Sequence, residues 1–301
     1  MEAKMFLLTY FYEGSESTGF LNNNKDGIIP ASVVFSKLNI PAPSDMLNII
    51  DAFDVFDLDK LNDAIASCSE FIELDKVKIM SPIPYPKRNV ICLGKNYLDH
   101  VKEVKNLKNV SADIPSKPIY FSKIAYPAIG QDDFVDMHQG IVKELDYEAE
   151  LAVIIGKKGK NISKEDAENY IFGYTICNDI SARDLQQEHV QWHKGKSFDT
   201  FCPLGPVIAH KSTIAFPPKL EIKSFINGEL RQNSNTKQLI FDIPTIISDL
   251  SSGITLYPGD IILTGTPAGV GAGFNPPKYL NPGDKMECFI EGIGTLVNTV
   301  K

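Results

Sequence analysis

The chain has 301 residues, of which 43% are hydrophobic and 23% charged, and a formal net charge of −8. This is the composition of a soluble globular protein, long enough for one large domain or a core with a smaller module. The acidic balance argues against a general nucleic-acid surface, and no apolar run approaches the length of a membrane span.

The first 80 residues read as a small α/β unit. Residues 4–12 are strand-like, 20–26 are polar and turn-rich, and 27–35 read as a second strand. Ser44 and Asp59 are expected to cap helices reaching Phe53 and Phe71, and 73–80 return to a strand. Asp51, Asp54, Asp57 and Asp59 read as caps and a solvated face rather than ligands. The apolar run at 5–12 carries no cleavage-site pattern, so no signal peptide is expected. The five cysteines form no CxxC, which suits buried, reduced thiols and a cytoplasmic protein.

Residues 81–87, Ser-Pro-Ile-Pro-Tyr-Pro-Lys, read as a stiff linker before a main domain spanning 88–301. A buried strand at 89–93 leads into Gly94-Lys95-Asn96-Tyr97-Leu98-Asp99-His100-Val101-Lys102-Glu103. His100 and Glu103 would share a helix face, and a carboxylate can orient an imidazole. Taken alone, the pair reads first as a surface i, i+3 contact. The lysine-rich stretch 104–116 reads as a mobile flap that closes over a substrate. Residues 118–122 form a strand ending at Lys123, and 130–144 are polar without a clear period.

Residues 145–156 alternate and then turn apolar, as a strand entering a core does. Glu148 and Glu150 lie two apart and share a face, which on its own suits solvent. Ser163 and Asp166 resemble a capping box opening a helix. A second apolar strand, 172–179, ends in Asp179. Three carboxylates brought together resist ionisation unless a cation neutralises them. Oxygen-only ligands favour Mg²⁺, Mn²⁺ or Ca²⁺.

His189 and His193 flank the only Trp at a spacing that can hold a metal on a helix, but no HExxH occurs, so a polar surface helix is expected. Lys196, among aromatics and prolines in 194–206, suggests a cation held at a site wall. A hairpin is expected around Asn227-Gly228, and a helix from Asp242 to Gly253. In the glycine-rich 265–271, a GxGxxG motif would need Gly at 274, which is Phe, so a nucleotide fold is rejected. The loop's N–H groups and the Thr266 hydroxyl could still meet an anionic substrate. No GxSxG elbow points to a serine hydrolase.

Five blocks in order resemble the fumarylacetoacetate hydrolase family across 85–301. They are Gly94-Lys95-Asn96-Tyr97 with His100 and Glu103, residues 145–151, residues 178–184, residues 195–200 and residues 263–271. The resemblance implies an α+β, mostly β fold: a mixed β-roll or sandwich core with few helices behind a small N-terminal α/β domain, commonly as a homodimer. It implies Mg²⁺, Mn²⁺ or Ca²⁺ on Glu148, Glu150 and Asp179. It also implies His100 as the group that activates water, helped by Glu103, with Lys196 and Thr200 near the metal. Gln186 and Thr266 match substrate-contacting positions, and Arg183 sits within the acidic block.

The expected reaction is cleavage of a C–C bond in a 2,4-dioxo acid through a stabilised enolate, with a small 2-oxo acid as the partner. The same enolate sink serves decarboxylation of oxaloacetate, or isomerisation of the 2-hydroxyhepta-2,4-diene-1,7-dioate type. A metal-stabilised binding protein is the non-enzymatic reading. His100 and Glu103 weigh against it, because a purely structural metal site needs neither.

Overall fold

The computed structural model describes residues 4–103 and 113–301, so most of the stretch read as a flap lies outside the described residues. The N-terminal unit comprises β1 (Phe6–Tyr12), β2 (Ser15–Leu21), β3 (Gly27–Pro30), α1 (Ala31–Lys37), α2 (Met46–Ala52), α3 (Leu58–Ala66), β4 (Ile72–Glu73) and β5 (Lys78–Ile79). The polar segment at 15–21 is a strand because it pairs antiparallel with β1, from Leu7↔Phe20 to Tyr12↔Ser15. The strand expected over 27–35 stops at Pro30, where α1 begins. Asp45 and Asp57, rather than Ser44 and Asp59, cap α2 and α3; the Asp45 carboxylate accepts from the Asn48 N–H at 2.9 Å. Helix α3 ends at Ala66, short of Phe71, and a 3₁₀ turn at Leu74–Lys76 interrupts the strand expected at 73–80.

The remainder contains β6 (Val90–Gly94), α4 (Leu98–Glu103), β7 (Ile119–Lys123), β8 (Phe134–Val135), β9 (Leu145–Asp146), β10 (Ala149–Ile155), β11 (Ile171–Asn178) and β12 (Ser181–Ala182). It continues with α5 (Arg183–Glu188), α6 (His193–Lys196), β13 (Leu204–His210), β14 (Glu221–Ile226), β15 (Glu229–Asn235), α7 (Ile243–Ser251), β16 (Ile261–Leu263), β17 (Lys285–Ile290) and β18 (Gly294–Val300). The Ser163–Asp166 box forms, with the Asp166 N–H donating to Ser163 Oγ at 3.1 Å. It opens only a 3₁₀ turn, Ala167–Tyr170, because β11 starts at the next residue.

One large sheet runs β4-β3-β2-β1-β13-β11-β10-β16-β6-β7, with β5 beside β1. The antiparallel β1–β13 pair joins the N-terminal strands to the rest. A second sheet runs β15-β14-β17-β18-β8. The strand β10 is central and buried along its whole length. Its Ala152 and Ile154 pack with Val34, Phe35 and Ile50 of the N-terminal helices. Its Leu151, Val153 and Ile155 pack with Ile222, Ile290 and Leu296 of the second sheet and with α7. Burial on both faces explains why the sequence here becomes an unbroken apolar run. The result is the α+β, mostly β mixed sandwich expected from the sequence. No helix among the described residues is long and apolar enough to cross a membrane. All five cysteines are free thiols, and Cys92, Cys177, Cys202 and Cys288 are buried.

His210 pins the N-terminal helices to this framework. Its ring lies 4.7 Å from that of Phe53 and 5.4 Å from that of Phe172, and Nδ1 lies 2.9 Å from Ser212 Oγ. Burial, with a smaller contribution from Lys211, lowers its pKa to about 4. An unfolded chain takes up this proton near pH 6.5, whereas the native state resists until about pH 4. Stability is therefore expected to fall by about 3 kcal/mol as the pH drops through that window. Urea unfolding at pH 7 and pH 4.5 checks this, and His210→Phe should flatten the difference.

Candidate active site and metal centre

Register creates the acidic cluster. Strands β10 and β11 are antiparallel with Ala149 opposite Asn178, so the next pair outward sets Glu148 beside Asp179. The Asp179 N–H donates to Glu148 O at 2.8 Å. Glu150, two residues further along, shares the face of Glu148. One carboxylate oxygen from each of Glu148, Glu150 and Asp179 lies within 4.8 Å of the others. All three residues are buried, at 5%, 1% and 0% exposure, which excludes a solvated face for the glutamate pair.

Among the described residues, three buried cations surround the cluster. Lys196 Nζ donates to Glu148 Oε2 at 2.8 Å and to Asp179 Oδ2 at 2.6 Å. Arg183 Nη2 lies 2.6 Å from Glu148 Oε1, while its Nε donates to Asp146 Oδ2 at 2.8 Å. Lys123 pairs with Asp179 Oδ1 and donates to the carbonyl oxygen of Ile180 at 3.1 Å. Burial opposes charge on Glu148, but Lys196, Arg183 and His100 outweigh it and hold the carboxyl well below the usual range. Glu150 goes the other way. Burial, Asp179 and Glu148 push it well above the ordinary carboxylate value. Burial also opposes charge on Lys196, and Asp179 and Glu148 overcome it, leaving its pKa raised.

The site therefore accommodates one more positive charge beside Glu150. The all-oxygen donors of Glu148, Glu150 and Asp179 fit a hard divalent ion such as Mg²⁺, Mn²⁺ or Ca²⁺.

His100 is buried on α4, with Nδ1 3.3 Å from Glu103 Oε2. Glu103 Oε1 accepts from the Gly269 N–H at 2.8 Å. A side chain at Gly273 would meet this carboxylate, since a Cβ there would lie 2.1 Å from its Cδ. The glycine-rich loop thus binds anions, but they are the protein's own. The Gly265 N–H donates to Glu150 at 2.6 Å, and those of Gly271 and Ala272 donate to Asp146 at 2.6 and 3.0 Å. These donors were expected to face a substrate, and instead they fix the carboxylates of the site. Thr266 Oγ1 donates to Ala149 O at 2.9 Å and accepts from Gln232 Nε2 at 2.7 Å.

A cavity brings together His100, Glu148, Glu150, Arg183, Gln186, Lys196 and Thr266. Arg183 Nη1 donates to Gln186 Oε1 at 3.0 Å. Thr200 is placed elsewhere. Its left-handed backbone (φ +69°) turns Oγ1 to accept from the Asp136 N–H at 2.8 Å, and the residue lines a separate cavity with Phe198 and Cys202. His189 and His193 fall on either side of a break between α5 and α6, and His193 Nδ1 lies 2.9 Å from Ser122 O.

Residue reading assigned no role to Lys123, Asp146 or Trp192. Lys123 closes an apolar strand, the one hint that its amine is buried. Trp192 packs on Gly94, where a Cβ would lie 2.2 Å from the ring, and it lines the cavity.

Buried carboxylates at the end of two paired strands, ringed by lysine and arginine and facing a His–Glu pair, have the layout of a divalent-metal centre. The chain belongs to the fumarylacetoacetate hydrolase family: residues 89–301 match the Fumarylacetoacetate (FAA) hydrolase C-terminal model. It is 51% identical over 241 residues to oxaloacetate tautomerase YisK of Bacillus subtilis, covering 80% of this chain and 78% of that protein. It is 44% identical over 238 residues to the mitochondrial oxaloacetate tautomerase Fahd2a of Rattus norvegicus, covering 79% and 74%.

Among solved structures, it resembles a fumarylacetoacetate hydrolase from Exiguobacterium antarcticum with a TM-score of 0.81 at 38% identity, covering 99% of each chain. It also resembles 2-hydroxyhepta-2,4-diene-1,7-dioate isomerase from Mycobacterium marinum, with a TM-score of 0.72 at 29% identity and 98% of each chain.

Proposed function

We propose that this protein is a divalent-metal-dependent enzyme that interconverts the enol and keto forms of a small 2-oxo dicarboxylate of the oxaloacetate class. The observation that carries this reading is that His100, held by Glu103, lines the same cavity as Glu148 and Glu150 of the acidic triad. The activity named for the Bacillus relative supports it.

The triad would hold the ion, which when bound supplies a Lewis acid for the substrate's carboxylate and 2-oxygen. Glu103, itself fixed by Gly269, orients His100 through Nδ1 and leaves Nε2 as the nitrogen that carries a proton to or from substrate C3. Lys196 places a fixed positive charge beside the 2-oxygen, where enolate charge develops. Arg183 and Gln186 form one bonded wall that orients the substrate. No water nucleophile is needed.

The second reading is hydrolysis of a 2,4-dioxo acid, favoured by the likeness to the Exiguobacterium hydrolase. There, His100 would take its proton from water instead of C3. Metal-stripped protein restored with Mg²⁺ or Mn²⁺ separates the readings in three arms: decay of enol oxaloacetate, release of pyruvate, and loss of acetylpyruvate. Enol decay that is faster than both other arms and abolished by chelation is the expected result. Dominant acetylpyruvate loss would establish the hydrolase, and dominant pyruvate release a decarboxylase.

A further inference from the structure

We infer that Lys95 reads the second carboxylate of the substrate, so that the site selects four-carbon dicarboxylates over the matching monocarboxylates. This rests on the function proposed above and adds its specificity. Among the described residues, the cavity wall carries Lys95, Arg183 and Lys196 as fixed cations. Arg183 and Lys196 are bonded to the buried carboxylates, which holds them at the acidic end. A doubly charged substrate whose first carboxylate goes to that end brings a second one into the cavity. A carboxylate removed from water without a partner is costly, so its acceptance calls for a cation.

The backbone at Lys95 is built to present one. Lys95 has φ +57°, a left-handed conformation that costs a non-glycine residue free energy. Both neighbours are locked. Gly94 lies under the ring of Trp192, and Asn96 clamps the loop by accepting from the Phe241 N–H at 2.7 Å and donating to Thr264 O at 2.8 Å. Lys95 is half-buried, and burial pulls its amine below the usual lysine value, while the exposed Asp113 acts in the opposite sense. A partly desolvated ammonium gains more from a carboxylate than one in bulk water. In this reading the substrate carboxylate takes over from Asp113.

The test is calorimetric titration of the Mg²⁺-loaded full chain with malate and with lactate. Both are 2-hydroxy acids that cannot enolise, and only malate carries the C4 carboxylate. Wild type is expected to prefer malate. Lys95→Gln should lose about tenfold in malate affinity, the scale of one hydrogen bond to a charged group, with lactate unchanged. Lys95→Arg should keep the preference, and Asp113→Asn should strengthen malate binding by removing a competitor.

Equal weakening of both ligands in Lys95→Gln, or no change in either, overturns the assignment. An unaltered melting temperature and Mg²⁺ titration show that the variant is folded. Malate selectivity that depends on Lys95, without turnover of enol oxaloacetate, would leave the subsite standing and remove the proposed reaction. Turnover with selectivity indifferent to Lys95 would do the reverse.

Discussion

Replacing His100 by Gln is expected to slow enol–keto interconversion by about 10²–10⁴-fold, the usual contribution of a positioned proton carrier. It should leave Mg²⁺ or Mn²⁺ binding unchanged. The imidazole lines the cavity and is held by Glu103 at 3.3 Å, yet it is not among the three converging carboxylates. Gln keeps much of the size and polarity of the site but cannot exchange a proton near neutral pH. Glu103→Gln should cost less, because the side chain can keep its contact with the Gly269 N–H while losing the charge that orients the ring. Trp192 lines the same cavity and is the only tryptophan, so its fluorescence reports metal and ligand binding independently of turnover. A His100→Gln enzyme with the wild-type rate would remove this residue from the chemistry.

Glu150→Gln should weaken divalent-ion affinity by more than the roughly 10–100-fold that loss of even an outer partner of a metal site costs. The same substitution should leave the metal-free fold as stable as wild type, or slightly more so. Glu150 is the carboxyl whose charge is opposed by burial and by Asp179 and Glu148. A neutral amide relieves that repulsion, and its carbonyl oxygen can still accept from the Gly265 N–H, 2.6 Å away in the wild type. The expected pattern is a melting temperature that no longer rises when Mg²⁺ is added, above an unchanged metal-free baseline. An undiminished Mg²⁺-induced rise would exclude Glu150 as a ligand. Asp179→Asn should differ, because Asp179 neutralises both Lys123 and Lys196. Removing it leaves the buried Lys123 ammonium without its carboxylate and Lys196 with Glu148 alone, so the metal-free fold itself should weaken.

These two residues illustrate what a linear reading can and cannot see. The pairing of Glu148 with Glu150 follows from strand periodicity, since residues two apart share a face. That their face is dry does not follow, because i, i+2 glutamates on a half-exposed strand look the same. Their burial comes with groups brought from distant segments, Arg183 of α5 and Lys196 of α6 on Glu148 and the Gly265 N–H on Glu150. The His100–Glu103 pair is similar. Its spacing is local, but its burial depends on Gly269 and Gly273, more than 160 residues away in sequence.

Lys123 was invisible as a site residue because a single lysine at a strand end is ordinarily solvated. Only the approach of Asp179, Ile180 and Phe201 encloses its amine. The glycine-rich loop misled for a related reason. Its donors are real, but the acceptors are carboxylates delivered by β9, β10 and α4.

By itself the sequence determined the strands that end in carboxylates, the helix that carries His100 and Glu103, the Asn-Gly hairpin and the blocks that place the chain in its family. Those features are written within a few residues, where periodicity, turn chemistry and caps act. The tertiary structure alone decided which charges lose water. It set Glu148 beside Asp179 through the β10–β11 register, drew Lys123, Arg183 and Lys196 around them, and sent Thr200 to another cavity. Desolvation depends on everything packed around a group, and that sum is fixed only when distant segments meet.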